Sequence, residues 1–268
     1  MSIEQIGKAN AADQPQLHRL WETVFGDPPE MVQAFFDRFP PEISGWVLRI
    51  GETICSAAYL IPGNWYVNQQ EMRPAAYVYA VATDPNMRRK GYAGRLMQSI
   101  AAFVEERNLL LYTRPAEQSL FSWYKSTLNA GNIGYINQHR FHSEEKFDAL
   151  PFRRITASEY GAMREKLLNA VPHLVLSDNF LRLQEVFSDG FYSVGDGCCC
   201  VVKGKNEIQI PELLTSDSNI DRAVQTLQSK FGAQDAVVQT VGDVSDLPGV
   251  AYAGKALPHQ TNWGFFLE

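Results

Sequence analysis

The chain has 268 residues, 45% of them hydrophobic and 20% charged, with a formal net charge of −6. That is ordinary globular composition, enough for one large domain or two of usual size. The acidic balance argues against a broad nucleic-acid-binding face, and no run of about 18 apolar residues offers a membrane span.

The opening MSIEQIGKANAADQ has no basic region followed by an apolar one. It therefore predicts no signal peptide and a cytoplasmic location. ADQPQLHRLWETVF (12–25) sets Leu17, Leu20, Trp21 and Val24 at helical spacing. Residues 29–39 carry Met31, Val32, Phe35, Phe36 and Phe39, a second amphipathic helix that Pro40 and Pro41 stop. Three strand-like runs follow: GWVLRIG (45–51), TICSAAYLIPGNWYVN (53–68) and RPAAYVYAVAT (73–83). The last is almost wholly uncharged, as a central strand is. GYAGRLMQSIAAFVEERN then places Tyr92, Leu96, Ile100, Phe103 and Val104 on one helical face. LLLYTRP (109–115) reads as a short buried strand and EQSLFSWYKSTL (117–128) as a helix. IGYINQHRFHSEEKF reads as a last strand and its exit. The predicted order is ααβββαβαβ, mixing antiparallel neighbours with one strand–helix–strand crossover.

From about residue 151 the pattern starts again. Two helical segments (within 151–172 and 177–188) precede GFYSVGDG, CCCVVKG and EIQIPELLT, three strands with turns between them. NIDRAVQTLQSKFG is a helix and AVVQTVG a strand. This is ααβββαβ once more, an internal duplication at domain scale. The chain therefore reads as two domains, 1–147 and 148–268.

The four cysteines are Cys55, Cys198, Cys199 and Cys200. Three in a row match no metal-ligand spacing. They read as small buried hydrophobes in a reducing compartment, with a redox role as the alternative.

The distinctive stretch is TDPNMRRKGYAGRLM (83–97). Arg88, Arg89 and Lys90 lead into Gly91, and Ala93 and Gly94 fall in the first helical turn. A helix N-terminus offers unpaired N–H groups and partial positive charge, small residues let an anion approach, and the cations add mobile charge. The bland alternative is a solvated basic turn. It is neither a P-loop nor the dinucleotide fingerprint, because GxxxxGK[ST] and GxGxxG are both absent.

The spacing R-x-x-G-x-A, Arg88 to Ala93, resembles the [QR]-x-x-G-x-[GA] loop of the GNAT N-acetyltransferase superfamily, with the expected strand before it and helix after it. The resemblance covers roughly residues 1 to 145. It implies an α+β or α/β fold, a mixed central sheet flanked by helices, here duplicated as two tandem GNAT-like domains. It implies acetyl-CoA as cosubstrate and no metal. Arg88, Arg89, Lys90, Gly91, Tyr92, Ala93 and Gly94 would form the pyrophosphate seat. Val81, Ala82 and Thr83 would expose backbone to the pantetheine arm and thioester, where an N–H could stabilise charge building on the acyl oxygen. A tyrosine on the helix after the next strand donates to the departing thiolate in the family, and the matching residue is Tyr124. A buried core tyrosine is the plain alternative. The family's Y-x-x-x-G-F-like ending is replaced here by YKSTLNAGNIGYI.

No base stands out. AAYVYAVAT contains no acid. Tyr77 and Tyr79 share one face and could line an acceptor pocket. Glu117 lies near the expected cleft, Glu268 is a chain-terminal carboxylate of the kind some tandem relatives use, and a solvent relay needs neither. In the second copy, SDSNIDRAVQTL follows the third strand; Asp217, Asp221 and the missing glycine would repel a diphosphate, so that copy is expected to be degenerate. The reading is an N-acetyltransferase acting by direct attack in a ternary complex on a primary amine of a small molecule or peptide. The alternative is a non-catalytic acyl-CoA sensor. No nucleic-acid or membrane partner is expected, and a homo-oligomer is compatible with the sequence.

Overall fold

The computed structural model describes residues 3–37, 43–69, 71–143, 147–241 and 250–253. In the first half the elements are β1 (Glu4–Lys8), α1 (Gln14–Phe25), α2 (Pro29–Asp37), β2 (Ser44–Ile50), β3 (Thr53–Asn68), β4 (Glu71–Thr83), α3 (Tyr92–Glu105), β5 (Leu110–Thr113), α4 (Gln118–Leu128), β6 (Gly131–Ile133) and β7 (Ile136–His142). The second half contains β8 (Phe152–Ile155), α5 (Ala157–Leu167), β9 (His173–Val175), α6 (Asp178–Gln184), β10 (Gly190–Val194), β11 (Gly197–Lys203), β12 (Glu207–Leu214), α7 (Ile220–Phe231), β13 (Asp235–Val241) and β14 (Val250–Ala253). Phe39, Pro40 and Pro41, expected to end α2, lie outside the described residues.

Among the described residues, contacts divide the chain into two compact units. One comprises 3–65, 73–132 and 250–253; the other comprises 66–72 and 133–241. The first is built on a sheet with strand order β1-β2-β3-β4-β5-β14-β6. β1 to β2 and β2 to β3 are antiparallel, while β4 to β5 is parallel across the crossover made by α3. One face packs against α3 and α4, through Leu96, Met97, Ile100, Val104 and Phe121 on Leu48, Ala58, Ala76, Val78 and Leu111. The other packs against α1, through Leu17 and Leu20 on Val47, Ile54 and Ala57. Each fully buried leucine, isoleucine, valine, methionine or phenylalanine among these contributes about 1.5–3 kcal/mol. The helix periodicities in the sequence are thus answered by two opposite faces of one sheet.

The second unit has strand order β7-β13-β12-β11-β10-β8, with β12 parallel to β13 and its other neighbours antiparallel. Its succession β8, α5, α6, β10, β11, β12, α7, β13 repeats that of the first unit, β1, α1, α2, β2, β3, β4, α3, β5. This is a mixed α+β architecture repeated in tandem, the arrangement the sequence resemblance implies.

Two details depart from the expected order. β1 and β8 each precede the first helix of their unit, and both were missed because a short edge strand carries too few apolar positions to show a period. β7, expected to close the first sheet, pairs instead with β13 over Ile136↔Val241 to His142↔Asp235. Beside β5 stands β14, with Ala251 opposite Thr113. Pairing partners are tertiary choices that local periodicity does not encode.

The consecutive cysteines lie on β11, fully buried. Burial pushes the thiols of Cys198 and Cys200 up to about 12, and Cys199 well above its ordinary value. At neutral pH they are protonated, small and apolar.

Candidate active site

The site is built where β4 ends and α3 begins. Up to Val78, β4 alternates normally: Ala76 and Val78 join the core under α3. Tyr79 meets Trp21 of α1, on the opposite face, at 5.7 Å between ring centroids. Ala80 then adopts φ +49°, left-handed in mid-strand. After it the alternation inverts: Ala82 joins the cluster under α1, and Val81 packs on the core under α3. A left-handed alanine costs roughly 1–2 kcal/mol. Its effect is to kink the strand and redirect its backbone. The β4–β5 ladder runs from Ala75↔Leu110 to Tyr77↔Tyr112. β4 continues six residues past Tyr77, to Thr83.

Beyond Thr83 the Asp84 carboxylate accepts from Asn86 N–H at 2.8 Å, and a 3-10 turn spans Pro85–Met87. Arg89 has φ +63° and Gly91 φ +77°, two left-handed residues flanking Lys90. Gly91 is the N-cap of α3 and supplies no side-chain cap. The first helical bond is from Arg95 N–H to the Gly91 carbonyl, 3.1 Å. The N–H groups of Tyr92, Ala93 and Gly94 therefore precede the helical ladder, in the position of anion donors. A Cβ on Gly91 would sit 3.0 Å from the Arg95 guanidinium, on top of its left-handed φ. A Cβ on Gly94 would meet its nearest neighbour at 4.0 Å.

Arg95 braces this turn. Its guanidinium donates to the Lys90 carbonyl at 3.1 Å and bidentately to Glu4 of β1 at 2.8 and 2.9 Å. Arg88 Nε donates to the Thr83 carbonyl at 3.3 Å. Arg88, Arg89 and Lys90 are all exposed.

A cavity of about 390 Å³ opens here, lined by Val24, Val81, Thr83, Met87, Arg88, Arg89, Gly91, Tyr92, Ala93, Gly94 and Trp123. Eight of the ten residues expected to hold cofactor line it; Ala82 and Lys90 do not. Ala82 is in the core, 3% exposed, because the kink turns it there. Val24, Met87 and Trp123 were not foreseen. Their helix and turn positions carry no chemical signature, and only the tertiary fold brings them to the loop. The lining contains two arginines and no carboxylate, a donor set that suits a polyanion.

Tyr124 is absent from that lining. It is 5% exposed, within the core under α3, and burial pushes its hydroxyl up to about 12 despite the opposing influence of the Thr113 hydroxyl beside it. Tyr77 is buried and stacked on Tyr112 at 5.2 Å, while Tyr79 is half-buried. Glu117 is an exposed residue at the start of α4 that makes no side-chain cap and accepts from Ser119 Oγ at 3.3 Å. Glu268 lies outside the described residues. Among the described residues no group of three or more His, Cys, Asp or Glu could hold a metal ion, and no helix is long and apolar enough to cross a membrane.

Residues 5–124 match the family model described as "Acetyltransferase (GNAT) domain". No curated protein matches the chain. Solved structures do. A probable N-acyltransferase of Enterococcus faecalis V583 superimposes with TM-score 0.72 at 14% identity, covering 94% of this chain and 72% of that one. A GCN5-related N-acetyltransferase from Anabaena variabilis gives TM-score 0.69 at 15% identity, covering 93% and 70%. A tandem GNAT protein from the clavulanic acid biosynthesis pathway gives 0.56 at 12% identity, covering 93% and 97%.

Proposed function

On the match of residues 5–124 to the GNAT acetyltransferase domain model, we propose an acetyl-CoA-dependent N-acetyltransferase that acts on a primary amine of a small molecule or peptide. The observation that carries the reading is the paired left-handed turn at Arg89 and Gly91, opening onto the uncapped start of α3 inside a carboxylate-free cavity. The N–H groups from Arg89 to Gly94 would hold the diphosphate, with Arg88, Arg89 and Lys90 as its charged lip. The kinked end of β4, Val81 to Thr83, would face the pantetheine arm and acyl group. Acetyl-CoA supplies the activated acyl group; the protein binds it, orients it and excludes water. Tyr124 lies behind the cavity wall, next to the lining residue Trp123 on α4. It would deliver its proton to the leaving sulfur only where the bound thioester reaches past that wall, and an amine proton would leave through solvent. Catalysis and cofactor belong in this proposal to residues 1–147, while 148–268 bind no CoA. Function of this kind suits a cytoplasmic protein.

A second reading is favoured by one observation: β4 from Ala75 to Thr83 contains no acid, and neither does the cavity wall. Such a site could bind acyl-CoA as a sensor without turnover. Calorimetry with acetyl-CoA tests both readings, and absence of binding would refute both. Thiol release across a panel of primary amines separates them, since a sensor releases none.

A further inference from the structure

Two buried hydroxyls flank the kink in β4. Thr113 Oγ1, at the end of β5, donates to the Val78 carbonyl at 2.8 Å. Ser56 Oγ, on β3, donates to the Ala82 carbonyl at 2.7 Å. The left-handed Ala80 stands midway, two residues from each carbonyl. Thr113 is 5% exposed and Ser56 0%. Ser56 also lies 3.0 Å from Thr83 Oγ1. A serine hydroxyl has one proton, and the Ala82 carbonyl can only accept, so Thr83 is the donor in that contact. Thr83 lines the cavity, and the chain of bonds therefore runs from the cavity wall through Ser56 to the backbone of the kink.

Position makes these bonds more than core satisfaction. The β4–β5 ladder stops at Tyr77↔Tyr112. At the next residue of β5 a side-chain hydroxyl replaces the backbone donor, so β4 is still held where it begins to diverge. On the other flank, Asp84 N–H donates to the Cys55 carbonyl at 3.0 Å, which anchors the strand just past the kink. A left-handed alanine persists only where its surroundings over-determine it.

We propose that Ser56 and Thr113 are positioning residues: by pinning the carbonyls on either side of Ala80, they fix the direction in which the β4 backbone meets a bound thioester. This rests on the reading of Val81 to Thr83 as the thioester site. Neither residue touches the diphosphate seat, so they set the rate of acyl transfer rather than CoA affinity. The Thr113 hydroxyl also lies beside that of Tyr124, so the rate of Ser56→Ala and the amide exchange below, rather than the rate of Thr113→Val alone, report the kink. Losing either pin lets the peptide planes around Ala80 rotate, and an N–H aimed at the acyl oxygen loses its alignment.

The test uses the full chain with Thr113→Val, Thr113→Ser and Ser56→Ala. Valine keeps the shape of threonine and loses the hydroxyl; serine does the reverse. Thiol release is read from acetyl-CoA with a fixed mixture of aliphatic and aromatic primary amines. Thr113→Val and Ser56→Ala are expected to lower kcat about tenfold or more, with CoA dissociation constants within about threefold of wild type. Thr113→Ser is expected to recover most of the loss. Amide hydrogen exchange of residues 79–83, measured without any ligand, should accelerate about tenfold in the valine and alanine variants and not in serine. A purely packing role predicts the opposite order, with valine benign and serine harmful, and that result overturns the proposal. So does unchanged exchange in Thr113→Val. A wild type that neither binds acetyl-CoA nor releases thiol overturns the functional reading, and the exchange measurement still decides whether the hydroxyls hold the kink.

Discussion

The ends of β4 and β12 occupy the same place in two copies of one topology, and they are built differently. Both strands run parallel to the next strand for a few residues and then lose that ladder, β4 after Tyr77 and β12 after Ile210. Beyond that point β4 has no acid, a left-handed residue, and an exposed basic turn with glycine at the helix start. β12 instead carries Glu212, 4% exposed, bound by Arg164 Nε at 2.9 and 3.2 Å and by the Tyr160 hydroxyl. No residue of β12 or of the turn after it has positive φ. Divergence of the two central strands is therefore a property of the fold, while a ligand seat needs backbone N–H groups left over. In the second unit a buried ion pair instead ties the end of β12 to α5.

Breaking that ion pair should give the largest effect on stability. Arg164 is fully buried, and Arg164→Met strands a buried carboxylate, a loss of about 3–5 kcal/mol. Denaturant unfolding measures it, and adding Glu212→Leu to the same chain should return much of the loss, because the uncompensated charge is gone. In the first unit, Gly91→Glu combines a disfavoured left-handed φ with a negative charge at the seat. It should weaken acetyl-CoA binding about a hundredfold or more, read by calorimetry. Gly94→Ala sharpens the point: space is open there, so stability should hold or rise by up to about 1 kcal/mol, and any lost affinity reports ligand approach alone.

Tyr124→Phe should slow turnover about 10–100-fold with little change in acetyl-CoA affinity, since the side chain lies outside the cavity wall. An unchanged rate would remove it from the mechanism. Its hydroxyl, pushed up to about 12, also sets a pH expectation. The folded-state value is above the ordinary 10, so its contribution to stability is intact below pH 10 and is lost as pH rises toward 12. The rate should show no Tyr124-dependent fall below pH 10. The smallest effect belongs to Cys198, Cys199 and Cys200: fully buried and protonated, they should not react with a thiol reagent until the protein unfolds.

Much of this was legible in the sequence. Leu96, Ile100 and Val104 announced α3, and Gly91 with Ala93 and Gly94 announced its open start, because helix period and small-residue spacing are local signals. The kink was not legible. Nothing distinguishes Ala80 from its neighbours in AAYVYAVAT, and its left-handed backbone becomes visible only when Ala82 turns up on the wrong face for a regular strand. Ser56 and Thr113 were invisible for the same reason: an isolated hydroxyl in a strand says nothing until the carbonyl it meets is known. Partner choice by β7 and β14 was likewise out of reach, since pairing between strands so distant in the chain leaves no trace in periodicity. The expected degeneracy of the second copy rested on Asp217, Asp221 and the missing glycine; the buried Glu212–Arg164 pair was not part of that reasoning, because only the tertiary fold brings the two together.

The central claim is that one unit keeps a CoA seat and the other does not. Titrating the full chain with acetyl-CoA in a calorimeter tests it most directly. The account predicts one site per chain, lost in Gly91→Glu and retained in Asp221→Ala. Two sites per chain, no binding, or binding that survives Gly91→Glu would contradict it.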